Sequence, residues 1–133
     1  MDNINYSERK MFLIISHELD EIQKKQAKEL FHVKFFIRLP EKLQEIWSNI
    51  PPEIENVDEL IVGIKDFIKL NSIKGDVVLV QGDYGATYKI VNFCKENGLL
   101  PVYATTKRIT EEKKEGDEIF IKRVFKHVRF REY

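Results

Sequence analysis

The chain has one cysteine, Cys94, in 133 residues. An intrachain disulfide is excluded, and so is a zinc cage built on paired cysteines. The charge also cancels: 22 Lys and Arg stand against 22 Asp and Glu. There is thus no global positive field of the kind that coats nucleic acid. No DNA partner is expected, and any nucleotide bound is small or gripped by a local patch. No apolar run approaches the length that spans a bilayer. Residues 11–16 are too short for the hydrophobic region of a cleavable leader, so a cytoplasmic protein with no membrane partner is expected. A G-x-G-x-x-G fingerprint, a P-loop and a G-x-S-x-G elbow are all missing, and no cofactor is expected. His17, His32 and His127 are scattered, so no metal site is expected. Without repeats, low-complexity stretches or linkers, residues 1–133 read as a single domain.

What is present is an alternation of strands and helices. Residues 11–15 form a continuous apolar run, the mark of a strand buried on both faces. Leu19, Ile22, Leu30 and Phe31 place a helix after it. Residues 33–39 read as a second strand. Pro40 can open the next helix, which carries Leu43, Ile46 and Trp47 and stops at Pro51-Pro52. Leu60, Ile61, Ile64, Phe67 and Ile68 form a helical stripe. Residues 77–80 are the central strand, followed by a helix to Asn97-Gly98, where Gly98 suits a left-handed cap. Residues 99–104 read as the fourth strand. Residues 105–112 and 118–130 flank a turn at 114–117 as a hairpin. This order predicts an α/β, Rossmann-like, mostly parallel sheet flanked by helices, with a C-terminal β hairpin.

Strand carboxyl ends are where ligands bind in such a sheet. After the central strand the chain reads Gln81-Gly82-Asp83-Tyr84-Gly85-Ala86-Thr87, a loop whose backbone N–H groups suit phosphate. A plain strand-to-helix turn with Asp83 as N-cap explains it as well. Ser16 and His17 close the first strand; they suit phosphate binding and proton transfer, or a helix cap and a solvated loop. Thr105, Thr106, Lys107 and Arg108 are expected at the carboxyl end of the fourth strand, where the cations suit phosphate. Alternation places His127, Arg129 and Arg131 in a cationic row opposite Phe120, Val124, Val128 and Phe130. Edge-strand charge against aggregation is the other reading. Trp47 either packs its helix end or stacks on a base. Cys94 fits the apolar side of its helix and reads as packing.

Five blocks in order carry a resemblance: M-F-L-I-I-S-H at 11–17, L-P-E-K-L-Q-E-I-W-S-N-I-P-P at 39–52, V-Q-G-D-Y-G-A-T-Y at 80–88, V-Y-A-T-T-K-R at 102–108 and V-F-K-H-V-R-F-R-E-Y at 124–133. Together they resemble a family of small CRISPR-associated proteins found with type III systems. The resemblance implies a Rossmann-like fold related to CARF sensor domains, and ring nuclease activity. A ring nuclease cuts cyclic oligoadenylate, the second messenger that switches on type III effectors. It implies cleavage without metal, in which the ribose 2′-OH attacks the adjacent phosphate and leaves a 2′,3′-cyclic phosphate, and a homodimer with ligand near the two-fold. From chemistry and position, His17 or His127 is expected to assist proton transfer. The 81–85 loop with Lys107 or Arg108 would stabilise the transition state. Ser16, Thr87, Thr105, Thr106 and Arg129 join the expected binding set. A module that binds the ring without cutting it would use the same residues, and a mononucleotide enzyme is a third reading.

Overall fold

The computed structural model describes residues 8–133. In chain order the elements are β1 (Lys10–Ile14), α1 (Glu21–Phe31), β2 (Phe35–Arg38), α2 (Glu41–Ser48), α3 (Asp58–Asn71), β3 (Val77–Val80), α4 (Tyr84–Glu96), β4 (Leu100–Glu115) and β5 (Glu118–Glu132). They build one five-stranded sheet in the order β2-β1-β3-β4-β5. Neighbours are parallel except β4 and β5, which form the antiparallel hairpin. The α/β class with a mostly parallel sheet and a terminal hairpin is as the sequence predicts. The second strand is shorter than residues 33–39, because Val33 turns inward beneath α1 and Leu39 joins the opposite core.

Two apolar layers follow from the two-residue strand period. Met11, Leu13, Val77, Leu79, Val102 and Phe130 face α1 through Ala27 and Phe31. Phe12, Ile14, Val78 and Val80 face α2, α3 and α4 through Trp47, Ile61, Ile64, Ile68 and Ile90. Each fully buried Leu, Ile or Phe contributes roughly 1.5–3 kcal/mol. The first crossover thus covers one face and the later ones the other. Strand order consequently reverses between β1 and β3, the point where such sheets open a crevice at their carboxyl ends.

The amino ends of the strands are tied by buried polar groups. Asp76 accepts hydrogen bonds from Lys10 N at 3.0 Å, Ile73 N at 2.9 Å and Lys10 Nζ at 3.2 Å. Arg9 Nε donates to Gly75 O at 2.7 Å, and its Nη1 donates to Phe31 O at 2.9 Å. This end is stitched by buried charged side chains.

Two expectations are corrected. The fourth strand does not stop at Ala104: β4 pairs with β3 only through Val102, then runs on to Glu115 bonded to β5. Backbone pairing needs no burial, so a strand continues after its side chains reach solvent. Those thirteen further residues carry the β4–β5 ribbon about 40 Å past its last pairing with β3, at roughly 3.3 Å per residue. The second correction concerns the row of His127, Arg129 and Arg131. Thr105 pairs with Arg129 but Thr106 pairs with His127, so Val128 is an extra, bulged residue. The Thr105 hydroxyl seals the bulge, donating to Arg129 O at 2.9 Å and accepting from Arg129 N at 3.2 Å. The bulge turns His127 to the same side as buried Phe130, the two rings 4.8 Å apart, and leaves Val128 exposed.

Candidate functional site

Two recesses open at the carboxyl ends of the parallel strands. The larger, about 580 Å³, is lined by Ser16, His17 and Glu18 after β1, Arg38 at the end of β2, and Glu41, Gln44, Glu45 and Ser48 of α2. The smaller, about 320 Å³, lies at the start of α4 and is lined by Gln81, Gly82, Tyr84, Thr87, Tyr103 and Tyr133. Trp47 links them. Its neighbour Ser48 lines the first, and its ring packs beneath Gly82, which lines the second.

Electrostatics separates the two. The larger recess carries Glu18, Glu41 and Glu45. Its Arg38 is already ion-paired with Glu18, so its field opposes a polyanion. Gln44 Nε2 donates to Ile15 O at 2.8 Å and to Ser48 Oγ at 2.9 Å, fixing the wall between α2 and β1. No Asp or Glu side chain lines the smaller recess. The Arg131 guanidinium sits 5.6 Å from the centre of the Tyr103 ring and donates to its hydroxyl at 3.1 Å. Tyr103 and Tyr133 stack obliquely at 4.8 Å. Tyr84, the first residue of α4, is 95% exposed. Tyr133 donates from its hydroxyl to Val80 O at 2.6 Å, and burial pushes its phenol above the ordinary value, with Tyr103 adding to the rise. Among the described residues, the buried Thr87 hydroxyl has no hydrogen-bond partner.

The loop residues have identifiable local duties. Gln81 extends the end of β3: its N–H donates to Ile14 O at 3.1 Å, and its side-chain oxygen accepts from Ala104 N at 2.9 Å. Gln81 O accepts from Trp47 Nε1 at 3.1 Å. Trp47 is therefore consumed in packing, with no face left for a base. Gly82 is required because a Cβ there would lie 2.9 Å from the Trp47 ring. Asp83 is the α4 N-cap and accepts from Ala86 N at 3.0 Å. Gly85 has no such duty, since a Cβ would meet only Asp83 Oδ2, at 3.5 Å. Glycine inside a first helical turn costs up to about 1 kcal/mol against alanine, so the fold gains nothing from it here.

The other expected residues are dispersed. The cap of α1 is Asp20, in a capping box with Gln23, so Ser16 is not the cap. Thr105, Thr106, Lys107 and Arg108 lie along the ribbon rather than at a strand end. Arg129 lines a separate recess with Gln26, Glu29 and Leu30 of α1. His127 is held against α1: its Nε2 lies 2.6 Å from Gln26 Oε1, and burial lowers its pKa, with Asp20 pulling the other way. Cys94 is buried, its thiol pushed up to about 12. Among the described residues, no group of three or more His, Cys, Asp or Glu stands as a metal cage, and no helix is long and apolar enough to cross a membrane. Sequence reasoning missed Tyr103 and Tyr133 as lining residues. Tyr103 was accessible by alternation from buried Val102, whereas Tyr133 reaches the recess only through the β4–β5 register.

None of the solved structures matches the chain. Over 124 residues it is 47% identical to the uncharacterized protein MJ1673 of Methanocaldococcus jannaschii, covering 93% of this chain and 96% of that one. A model of the uncharacterized protein MJ1673 family matches residues 9–131, and the chain belongs to that family.

Proposed function

We propose that this protein is a homodimeric ring nuclease that binds cyclic oligoadenylate at the smaller recess and cuts it without metal. The observation that carries the reading is the recess itself: Tyr84, Tyr103 and Tyr133 gathered at the start of α4 beside a buried, unpartnered Thr87 hydroxyl. Tyrosine faces suit adenine, with stacking worth roughly 1–3 kcal/mol per base. Arg131 and the positive end of α4 suit phosphate. The five-block resemblance to type III CRISPR-associated ring nucleases supports the choice of ligand.

Cleavage asks little of the protein beyond placement. The 2′-OH attacks phosphorus as the 5′-oxygen leaves, forming the 2′,3′-cyclic phosphate, so the nucleophile comes with the substrate. In-line positioning and charge stabilisation supply most of the acceleration. His17 in the adjoining recess takes the role of proton carrier; His127, bonded to Gln26, is left structural.

The test is incubation with cyclic tetra- and hexa-adenylate in excess chelator, with products separated by chromatography. Linear products ending in a 2′,3′-cyclic phosphate are expected. Tyr84→Ala should weaken binding about tenfold. His17→Ala should slow single-turnover cleavage by about 10²–10⁴ with affinity kept. Intact rings with no binding overturn the reading. The second reading, a binder that does not cut, is favoured by the lack of an imidazole lining the smaller recess; tight binding with intact rings would establish it.

A further inference from the structure

The β4–β5 ribbon continues past the sheet as a two-stranded arm, and an isolated pair of strands is marginal in water. Opposed residues in an antiparallel pair share a face. One face of the arm therefore carries the rungs Arg108–Phe125, Thr110–Arg123, Glu112–Ile121 and Lys114–Ile119. Its apolar members stay open among the described residues: Ile119 is 63% exposed, Ile121 64% and Phe125 66%. Arg108 lies across the Phe125 ring at 5.8 Å. Three large apolar side chains left open on one face, interleaved with charge of both signs, mark a contact surface.

We propose that this face is where two copies of the chain join, arm on arm, running in opposite directions about the Thr110–Arg123 rung. The order of the rungs is its own complement under that turn. Ile121 of each copy comes to rest on Phe125 of the other, and Glu112 of each faces Arg108 of the other. Thr110 meets Thr110 at the axis. Lys114 comes over Thr106, and Ile119 reaches the rim of α1, which already covers His127. The one like-charged contact, Arg123 with Arg123, falls on β5, an edge of the arm as β4 is, where long side chains reach water. A two-fold contact of this kind makes every favourable pair occur twice. A parallel arrangement would set Glu112 against Ile121 and Arg108 against Phe125, leaving those charges without opposite partners. The pairing rests on the dimer named in the proposed function and adds the surface on which its two copies meet; the cutting activity is read separately.

The experiment is sedimentation velocity on the full chain at micromolar concentration, with circular dichroism to check folding. A dimer is expected. Ile121→Ser and Phe125→Ser should each yield a folded monomer. Arg108→Glu and Glu112→Arg should each weaken the dimer at least about tenfold, while the two together restore it. A monomeric parent overturns the proposal, as does a dimer indifferent to all four changes, or a monomer whose arm binds RNA. A dimer that leaves cyclic oligoadenylate untouched counts against the activity alone. A monomer that cuts the ring counts against the pairing alone.

Discussion

Gly82 and Gly85 stand three residues apart at the mouth of the smaller recess, yet alanine should act in opposite directions at the two. At Gly82 the added methyl would sit 2.9 Å from Cε2 and Cζ2 of Trp47. That ring is buried and its N–H is committed to Gln81 O, so it cannot swing aside without losing contacts. Overpacking costs about 1–3 kcal/mol and the strained hydrogen bond about 1 more, giving roughly 2–4 kcal/mol. At Gly85 the methyl meets only Asp83 Oδ2 at an ordinary 3.5 Å, and α4 gains up to about 1 kcal/mol of helix propensity. Guanidinium denaturation followed by Trp47 fluorescence reads both, since Trp47 is the sole tryptophan. Gly82→Ala should lower the midpoint and Gly85→Ala should hold or raise it. Ligand binding should separate them again: the stabilised Gly85→Ala protein should bind cyclic oligoadenylate more weakly, because its methyl fills space a phosphate would use. Equal midpoints, or a destabilised Gly85→Ala, would refute the account of both glycines.

Asp76→Ala should cost about 3 kcal/mol in the same denaturation, because it strips partners from Lys10 N, Ile73 N and the Lys10 ammonium together; an unchanged midpoint would show that end of the sheet is not held there. His127 is kept neutral by burial, its folded pKa lying below the ordinary value. The unfolded chain therefore binds the proton first as pH falls. The stability His127 contributes is intact above about pH 6.5 and is lost as pH drops from there toward the lowered folded value. Stability measured against pH should flatten across that window in His127→Gln. Cys94, with its thiol pushed up to about 12, should resist thiol reagents at pH 8 in the native protein and react fully in denaturant.

The central strands were legible because β1 and β3 are buried on both faces, so 11–15 and 77–80 are unbroken apolar runs. Asp83 was legible as a cap because its carboxylate acts on a group three residues away. What depends on distant pairing was not. The alternation of elements already made 77–80 the central strand, but nothing local announces that Tyr133 reaches Val80 O. The bulge was hidden because strict two-residue counting cannot detect one extra residue, and Val128 looks like a core residue until Thr105 fixes the register. The break expected after Ala104 marks a real change in burial, but the backbone ladder runs through it. Lys107 and Arg108 thereby moved from a strand end to an arm.

That arm also governs how order is shared along the chain. Its rungs join residues close in sequence, from Glu115 with Glu118 to Arg108 with Phe125, whereas Val77 must find Leu100 across an entire helix. Short closures cost little loop entropy and hairpins form within about 1–10 μs. The ribbon can close before the parallel sheet exists, delivering Val102 and Phe130 to the core already joined. The same locality lets it open from Gly116 inward without disturbing β1 or β3. β4 is thus one continuous strand divided between two cooperative units, its first residues melting with the sheet and its last with the turn.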